Sequence, residues 1–184
     1  YGTKNSTTTN METFTVKIVC LDYETFFDND YSLSKMSTEA YVRDSRFEVH
    51  GAAIKWSASS GAQWYGPDRL KHVLQNEDWS DTWVICHHAQ FDLLILNHHY
   101  GIRPKFTGCT LSMARLLLGN HLSVSLDSVR KHFNMPLKTT PYNLFKGLHW
   151  DDLHPSVREQ VADGAIDEVE SIWTLFTKIL GPQF

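Results

Sequence analysis

Hydrophobic residues fall along the chain in two rhythms, short continuous runs and longer 3-4 spacings. Ile18-Val19-Cys20-Leu21 is continuous and rich in β-branched residues, the pattern of a strand buried on both faces, and the strand is read from Phe14 to Leu21. Glu48 to Trp56 and Ala62 to Tyr65 read as two further strands separated by the turn signal Ser59-Ser60-Gly61, which suggests an antiparallel meander. Trp83 to Cys86 is a fourth strand and Lys105 to Cys109 a fifth. Helices are predicted from Pro67, at the favoured first position, to about Gln75, then over Phe91 to His99, Leu111 to Leu118 and Ser125 to Phe133. Beyond Pro155, the positions Ala165, Ile166, Val169, Ile172, Trp173, Phe176 and Ile179 keep a helical rhythm and mark a buried stripe. The strand, helix, strand order between Trp83 and Cys109 implies a parallel crossover. Phe26 to Phe47 reads as irregular, with two Asp-rich turns wrapping a site mouth, and Pro136 to Trp150 as mostly loop.

Residues 1–10 are polar, Ser/Thr-rich and without periodicity, so they read as a disordered tail or vector remnant ahead of a single domain over 11–184. Hydrophobic content of 42% and charge of 21% suit one soluble globular domain. A net charge of −4 announces no basic nucleic-acid surface, although an acidic metal site would itself lower that figure. Cys20, Cys86 and Cys109 form no CxxC pair and sit in or beside apolar runs. Reduced, buried thiols in a cytoplasmic protein fit them better than disulfides or zinc. No apolar stretch reaches membrane-spanning length.

The candidate chemistry lies in four acids. Asp22 and Glu24, two residues apart on a strand, project to the same side, where their like charges would favour a divalent cation with oxygen ligands. By themselves they fit equally well a strand that simply ends in solvated acids. Asp92 stands in the apolar run Phe91 to Leu96, where a carboxylate needs a partner, a metal or the dipole of a helix start. Asp167 lies one residue beside the buried stripe, a place that also suits a solvated helix face. His87-His88 and His98-His99 stand at opposite ends of one helix, roughly 15 Å apart at about 1.5 Å per residue, and cannot share a zinc ion. Lys138, Lys146 and Arg115 are scattered and read as surface.

Three stretches, LDYETFFDNDYSLSKMSTEAYVRDSRFEVHG, HHAQFDLLIL and AIDEVESIWTLF, resemble in order the motifs of the DEDD superfamily of 3'→5' exonucleases. Within it, they look most like the proofreading exonuclease of phage-type family A DNA polymerases. The likeness runs from about Lys17 to Ile179; the first two motifs are specific, and the third is weak by itself. It implies an α/β, ribonuclease H-like mixed sheet flanked by helices. It also implies that Asp22, Glu24, Asp92 and Asp167 hold two divalent cations, Mg²⁺ or Mn²⁺, that clamp the scissile phosphate. Asp22 would bridge both ions, Glu24 and Asp167 would hold the nucleophile-side ion, and Asp92 would serve the other through water. Thr25 matches the family residue beside the terminal nucleotide, and Tyr23 and Phe91 would pack near its base or sugar; each of the three also suits plain core or wall.

Two positions depart from the pattern. His88 stands where the family has Asn, and both can donate a hydrogen bond. The family places Tyr four residues, or His five, before its last acid; here those positions hold Asp163 and Ala162. Asp163 either acts as general base or marks a weakened site. The resemblance implies a metal-dependent enzyme that hydrolyses single-stranded DNA 3' ends as the proofreading part of a polymerase in the same gene product. Its expected place is the cytoplasm, of a bacterial host if phage-encoded, with no membrane partner. Two alternatives stay open: a catalytically silent DNA-binding module of the same fold, and a free-standing ribonuclease of the oligoribonuclease or RNase D kind.

Overall fold

The central strand, β1 (Lys17–Thr25), divides its side chains between two cores. Val19, Leu21 and Tyr23 point to one face and Cys20 to the other, as strand alternation requires. The structure, a computed structural model, describes residues 16–57, 59–137, 140 and 142–184, with backbone alone at 120. The tail over 1–10, the start of the predicted strand at Phe14, and Lys138 lie outside the described residues. β1 does not stop at Leu21. It stays paired with β2 (Val49–Trp56), Asp22 opposite Ala53 and Glu24 opposite Gly51, until the register shifts between Glu24 and Thr25. Both acids are therefore members of the ladder, held by backbone hydrogen bonds that no loop would supply.

The sheet order is β3-β2-β1-β4-β5, with β3 (Gln63–Tyr65), β4 (Thr82–Cys86) and β5 (Phe106–Cys109). β1, β2 and β3 form the antiparallel meander, and β4 lies parallel to β1 and β5 parallel to β4. One face is covered by α1 (Thr38–Arg43), α2 (Pro67–Gln75) and α3 (Ala89–Tyr100), through Tyr41, Val42, Leu70, Leu74, Ile95 and Leu96. The other carries α4 (Thr110–Leu118), α5 (Leu126–His132) and, after the short α6 (Tyr142–Phe145), the long α7 (Pro155–Thr174). Ala165, Val169 and Ile172 of α7 are fully buried against Cys20, Ala53 and Ile85, and full burial of a side chain such as Ile172 is worth about 1.5–3 kcal/mol. α7 runs on into a wider, π-type turn over Leu175–Leu180. Among the described residues no helix is long and apolar enough to cross a membrane.

Two stretches read as irregular hold short helices. α1 is capped by Ser37, whose hydroxyl accepts the Ala40 N–H at 3.2 Å, and it buries Tyr41 and Val42. Its segment is fastened by rings: Tyr31 stacks on Tyr41 at 4.4 Å and donates its hydroxyl to the Tyr41 carbonyl at 2.7 Å. The Tyr41 hydroxyl in turn donates to the Phe26 carbonyl. α6 lies in the predicted 136–150 loop and places Phe145 in a small third core with Leu153 and Val161.

His50 is fully buried between Phe145 and Trp150, at 6.1 and 5.7 Å between ring centroids, and among the described residues neither ring nitrogen has a hydrogen-bond partner. Burial pushes its pKa down to about 4, against the pull of Glu48, whose Oε1 stands 3.6 Å from Nε2. The unfolded chain takes up this proton near the ordinary histidine value and the folded chain refuses it until about pH 4, so acid favours unfolding across that interval. Urea unfolding of wild type is expected to lose stability steadily from about pH 6.5 to about pH 4, and His50→Phe to lose distinctly less. Equal losses in the two proteins would place the acid sensitivity elsewhere.

Candidate active site

The end of β1 sets two carboxylates on the face that α7 covers. Asp22 and Glu24 share that side because Tyr23, between them, points to the other. From α7 comes Glu168, three residues past Ala165 and four before Ile172, and so on the helix face that packs against the sheet. One oxygen from each of Asp22, Glu24 and Glu168 lies within 4.8 Å of the other two. Glu24 and Glu168 are buried and Asp22 half-buried. Asp92, in the first turn of α3, is 1% exposed and accepts the Tyr23 N–H at 3.1 Å, tying that helix to the strand between the two acids. Burial, and after it the charge of Asp22, push the Asp92 carboxyl well above the usual carboxylate range in spite of that hydrogen bond.

The three clustered carboxylates line a pocket of about 570 Å³, within the usual size range of ligand sites. Phe27, Leu33, Tyr41, His88 and Phe91 also line it, with Leu126 of α5 and Tyr142 of α6. Among the described residues this wall carries no Lys or Arg. Three hard oxygen donors at this spacing suit a divalent cation such as Mg²⁺ or Mn²⁺, and a fourth carboxylate is buried beside Asp22.

The acid that α7 delivers differs from the one expected. Asp167, turned about 100° from Glu168 around the helix axis, is bound by Arg130 of α5 at 2.9 Å. The Arg130 side chain is 0% exposed and also donates to the Asp167 carbonyl at 2.8 Å and to Ser171 at 2.6 Å. Asp167 thus neutralises a buried guanidinium. Asp163 is exposed on α7 and does not line the pocket. Tyr23 reaches the wall, but its ring turns to the opposite core and stacks on Tyr100 at 6.0 Å.

Other expected residues do meet the pocket. Thr25 donates its hydroxyl to Tyr41 at 2.8 Å, which fixes the wall. Phe91 packs on the same tyrosine at 6.0 Å. His88 is exposed and left-handed, at φ 70°, a conformation that Asn, Asp and His adopt more readily than other side chains. Neighbouring His87 donates from Nε2 to the Val124 carbonyl at 3.0 Å and sets Nδ1 2.9 Å from the Thr110 hydroxyl, which also reaches the Cys86 carbonyl at 3.3 Å. Lys138 falls outside the described residues, and Arg115 lines an adjoining hollow.

Glu168 had a sequence signal: it is the acid set within the stripe that Val161, Ala165, Val169 and Ile172 define. Tyr142 had none. Its hydroxyl stands 3.3 Å from Glu168 Oε1, to which Thr140 also donates at 2.8 Å. Burial and the charges of Glu24, Glu168 and Asp22 push this phenol well up, so it remains a donor.

The fold has solved counterparts. NrnC of Brucella melitensis with bound Mg²⁺ aligns over 95% of this chain and 79% of its own, at TM-score 0.54 and 18% identity. Trypanosoma brucei RNase D in complex with RNA U12 aligns over 89% of this chain and 55% of its own, at TM-score 0.61 and 15% identity. Escherichia coli RNase D, an exoribonuclease involved in structured RNA processing, aligns over 90% of this chain and 40% of its own, at TM-score 0.54 and 14% identity. The fold is that of ribonuclease H-like exonucleases. At such identities it is the fold that is shared. The sequence matches no protein-family model and no curated protein.

With chelator as baseline, millimolar Mn²⁺ is expected to raise the melting temperature of wild type, because the ion binds only the folded state. Glu168→Gln should lose most of that rise. Asp167→Asn should keep it and yet melt lower, by about 1–3 kcal/mol of stability, because Arg130 is left buried with a weaker partner. An Mn²⁺ shift unaltered in Glu168→Gln but abolished in Asp167→Asn would reverse the assignment.

Proposed function

We propose that this chain is a metal-dependent 3'→5' exonuclease acting on single-stranded nucleic acid ends. One observation carries the reading: the convergence of Asp22, Glu24 and Glu168 in a pocket walled by apolar and aromatic side chains, with Asp92 buried beside Asp22. Carboxylates alone would repel a phosphodiester, so such a pocket takes a polyanion only together with cations. Asp22, Glu24 and Glu168 would hold them, with Asp92 in support. When bound, divalent ions supply charge neutralisation at the phosphate and acidify a water.

The protein's own groups do the rest. Phe27, Leu33, Tyr41 and Phe91 offer apolar faces to the terminal sugar and base, a contact indifferent to base identity. The Thr25 to Tyr41 to Phe26 chain of hydrogen bonds keeps that wall rigid. In the reaction, water oxygen bonds to phosphorus and the bond from phosphorus to the 3'-oxygen of the preceding nucleotide breaks. That oxygen leaves with the electron pair and gains a proton, the attacking water loses one to solvent, and the products are a 5'-mononucleotide and a strand one unit shorter.

Two substrates divide this reading. RNA is favoured by the structural counterparts, one in complex with RNA and another an exoribonuclease. Proofreading of DNA for a polymerase in the same gene product is favoured by the first sequence motif, from Leu21 to Gly51. End-labelled single-stranded RNA and DNA, and a DNA duplex with a frayed 3' end, distinguish them by their cleavage ladders in Mg²⁺ or Mn²⁺. Asp22→Ala is expected to abolish every ladder while the circular dichroism spectrum stays that of wild type. If Asp22→Ala cleaves as wild type does, the carboxylate cluster is not the catalytic site. A wild type inert on all three substrates would leave only the silent binding module.

A further inference from the structure

The strongest unassigned feature of the pocket is the way Thr140 and the start of α6 close over α7. Gly164, buried on that helix one turn before Glu168, has the backbone of another segment in the space of its missing side chain. A Cβ there would lie 2.4 Å from Thr140 Oγ1 and 3.0 Å from Thr140 Cα, distances at which something must move. The absence of a Cβ therefore lets Thr140 rest on the helix and hydrogen-bond Glu168 Oε1 at 2.8 Å. Two residues on, Tyr142 opens α6 and brings its hydroxyl to the same oxygen at 3.3 Å. Its ring is braced by Phe145 at 5.5 Å and Phe27 at 6.3 Å, and it forms part of the pocket wall.

Two features of this arrangement point beyond a structural tyrosine. Tyr142 is 36% exposed and lines the pocket, so one side chain meets both Glu168 and open pocket space. The contact to Glu168 is also long for an O–H···O hydrogen bond, and it sets the phenol oxygen beside the carboxylate that completes the cluster. Asp163, which the sequence leaves as either a general base or the mark of a weakened site, is exposed and does not line the pocket. Resting on the exonuclease reading, we infer that Tyr142 is a catalytic residue whose hydroxyl orients the attacking water beside Glu168, and that Gly164 exists to seat the segment that carries it. The phenol acts as a fixed donor. It takes no proton from the water.

Tyr142→Phe removes one oxygen and keeps the ring. Under saturating Mn²⁺, on whichever single strand wild type degrades, it is expected to lower kcat by about 10²-fold, the usual cost of one oriented donor, with KM unchanged. Melting temperature and calorimetric Mn²⁺ affinity should match wild type, and Tyr142→His, which restores a donor, should recover part of kcat. Gly164→Ala should reproduce the kcat loss by displacing Thr140. Wild-type kcat in Tyr142→Phe overturns the inference and leaves the exonuclease reading standing. Loss of activity together with weakened Mn²⁺ binding or a lowered melting temperature also overturns it, because the tyrosine would then be a brace for Glu168. A wild type inert on RNA and DNA alike overturns both.

Discussion

The structure turns on a carboxylate placed in a core position. Glu168 occupies the stripe by which α7 packs onto the sheet, between Ala165 and Ile172, so the helix cannot dock without carrying that acid to Asp22 and Glu24. Isolated in an apolar core, such a group would cost several kcal/mol. Here it opens onto a pocket and accepts hydrogen bonds from Thr140 and Tyr142. Folding and assembly of the site are thus one event, and the hydrophobic contacts of Ala165, Val169 and Ile172 offset what the carboxylates cost.

Its neighbour makes the opposite use of the same charge. Asp167 meets Arg130, which is wholly buried beneath α7 and bonded also to the Asp167 carbonyl and to Ser171. Removing one partner of such a pair leaves an uncompensated buried charge, so the pair fixes the seating of α7 on α5 whatever its net contribution to stability. A turn of about 100° separates an acid that completes the pocket from one that anchors the helix carrying it. Lys55 of β2 performs a similar task from the other side, binding Glu170 at 2.8 Å, and Glu170 also accepts the Ala62 N–H at 2.6 Å. Three consecutive turns of interactions along one helix, at 164, 167 to 168 and 170 to 171, therefore set its position over the sheet.

Much of this was legible in the chain, and the gaps have physical reasons. The five strands, the parallel crossover and the long helices follow from apolar runs and 3-4 spacing, which report burial directly. The extension of β1 through Asp22 and Glu24 was hidden because the acids end the apolar run, whereas the ladder continues wherever β2 supplies partners. α1 and α6 are too short for any period to register. At the site, both the family motif and the edge of the stripe singled out Asp167, whereas the acid brought to Asp22 and Glu24 is Glu168, one residue on; helix periodicity alone does not separate two neighbouring acids. Tyr142 left no trace in its own neighbourhood, because its place depends on a glycine 22 residues away that makes room for Thr140.

The electrostatics of the pocket bear on how the proposed enzyme would select its substrate. Proteins that bind nucleic acid through rows of Lys and Arg gain affinity from counterion release, which favours any polyanion, duplex included. This chain carries a net charge of −4, and among its described residues the pocket wall offers carboxylates and apolar rings with no Lys or Arg. In the proposed enzyme, attraction to phosphate would then be confined to the cluster that would hold the ions, and what remains along the wall would be contact with faces of sugar and base. Those faces are covered in a stacked duplex and open at a frayed or single-stranded terminus, since unstacking a base costs a few kcal/mol. For the proposed enzyme, a preference for single-stranded ends would therefore follow from where the positive charge is absent as much as from where the ions would sit, and it would require no contact that reads sequence.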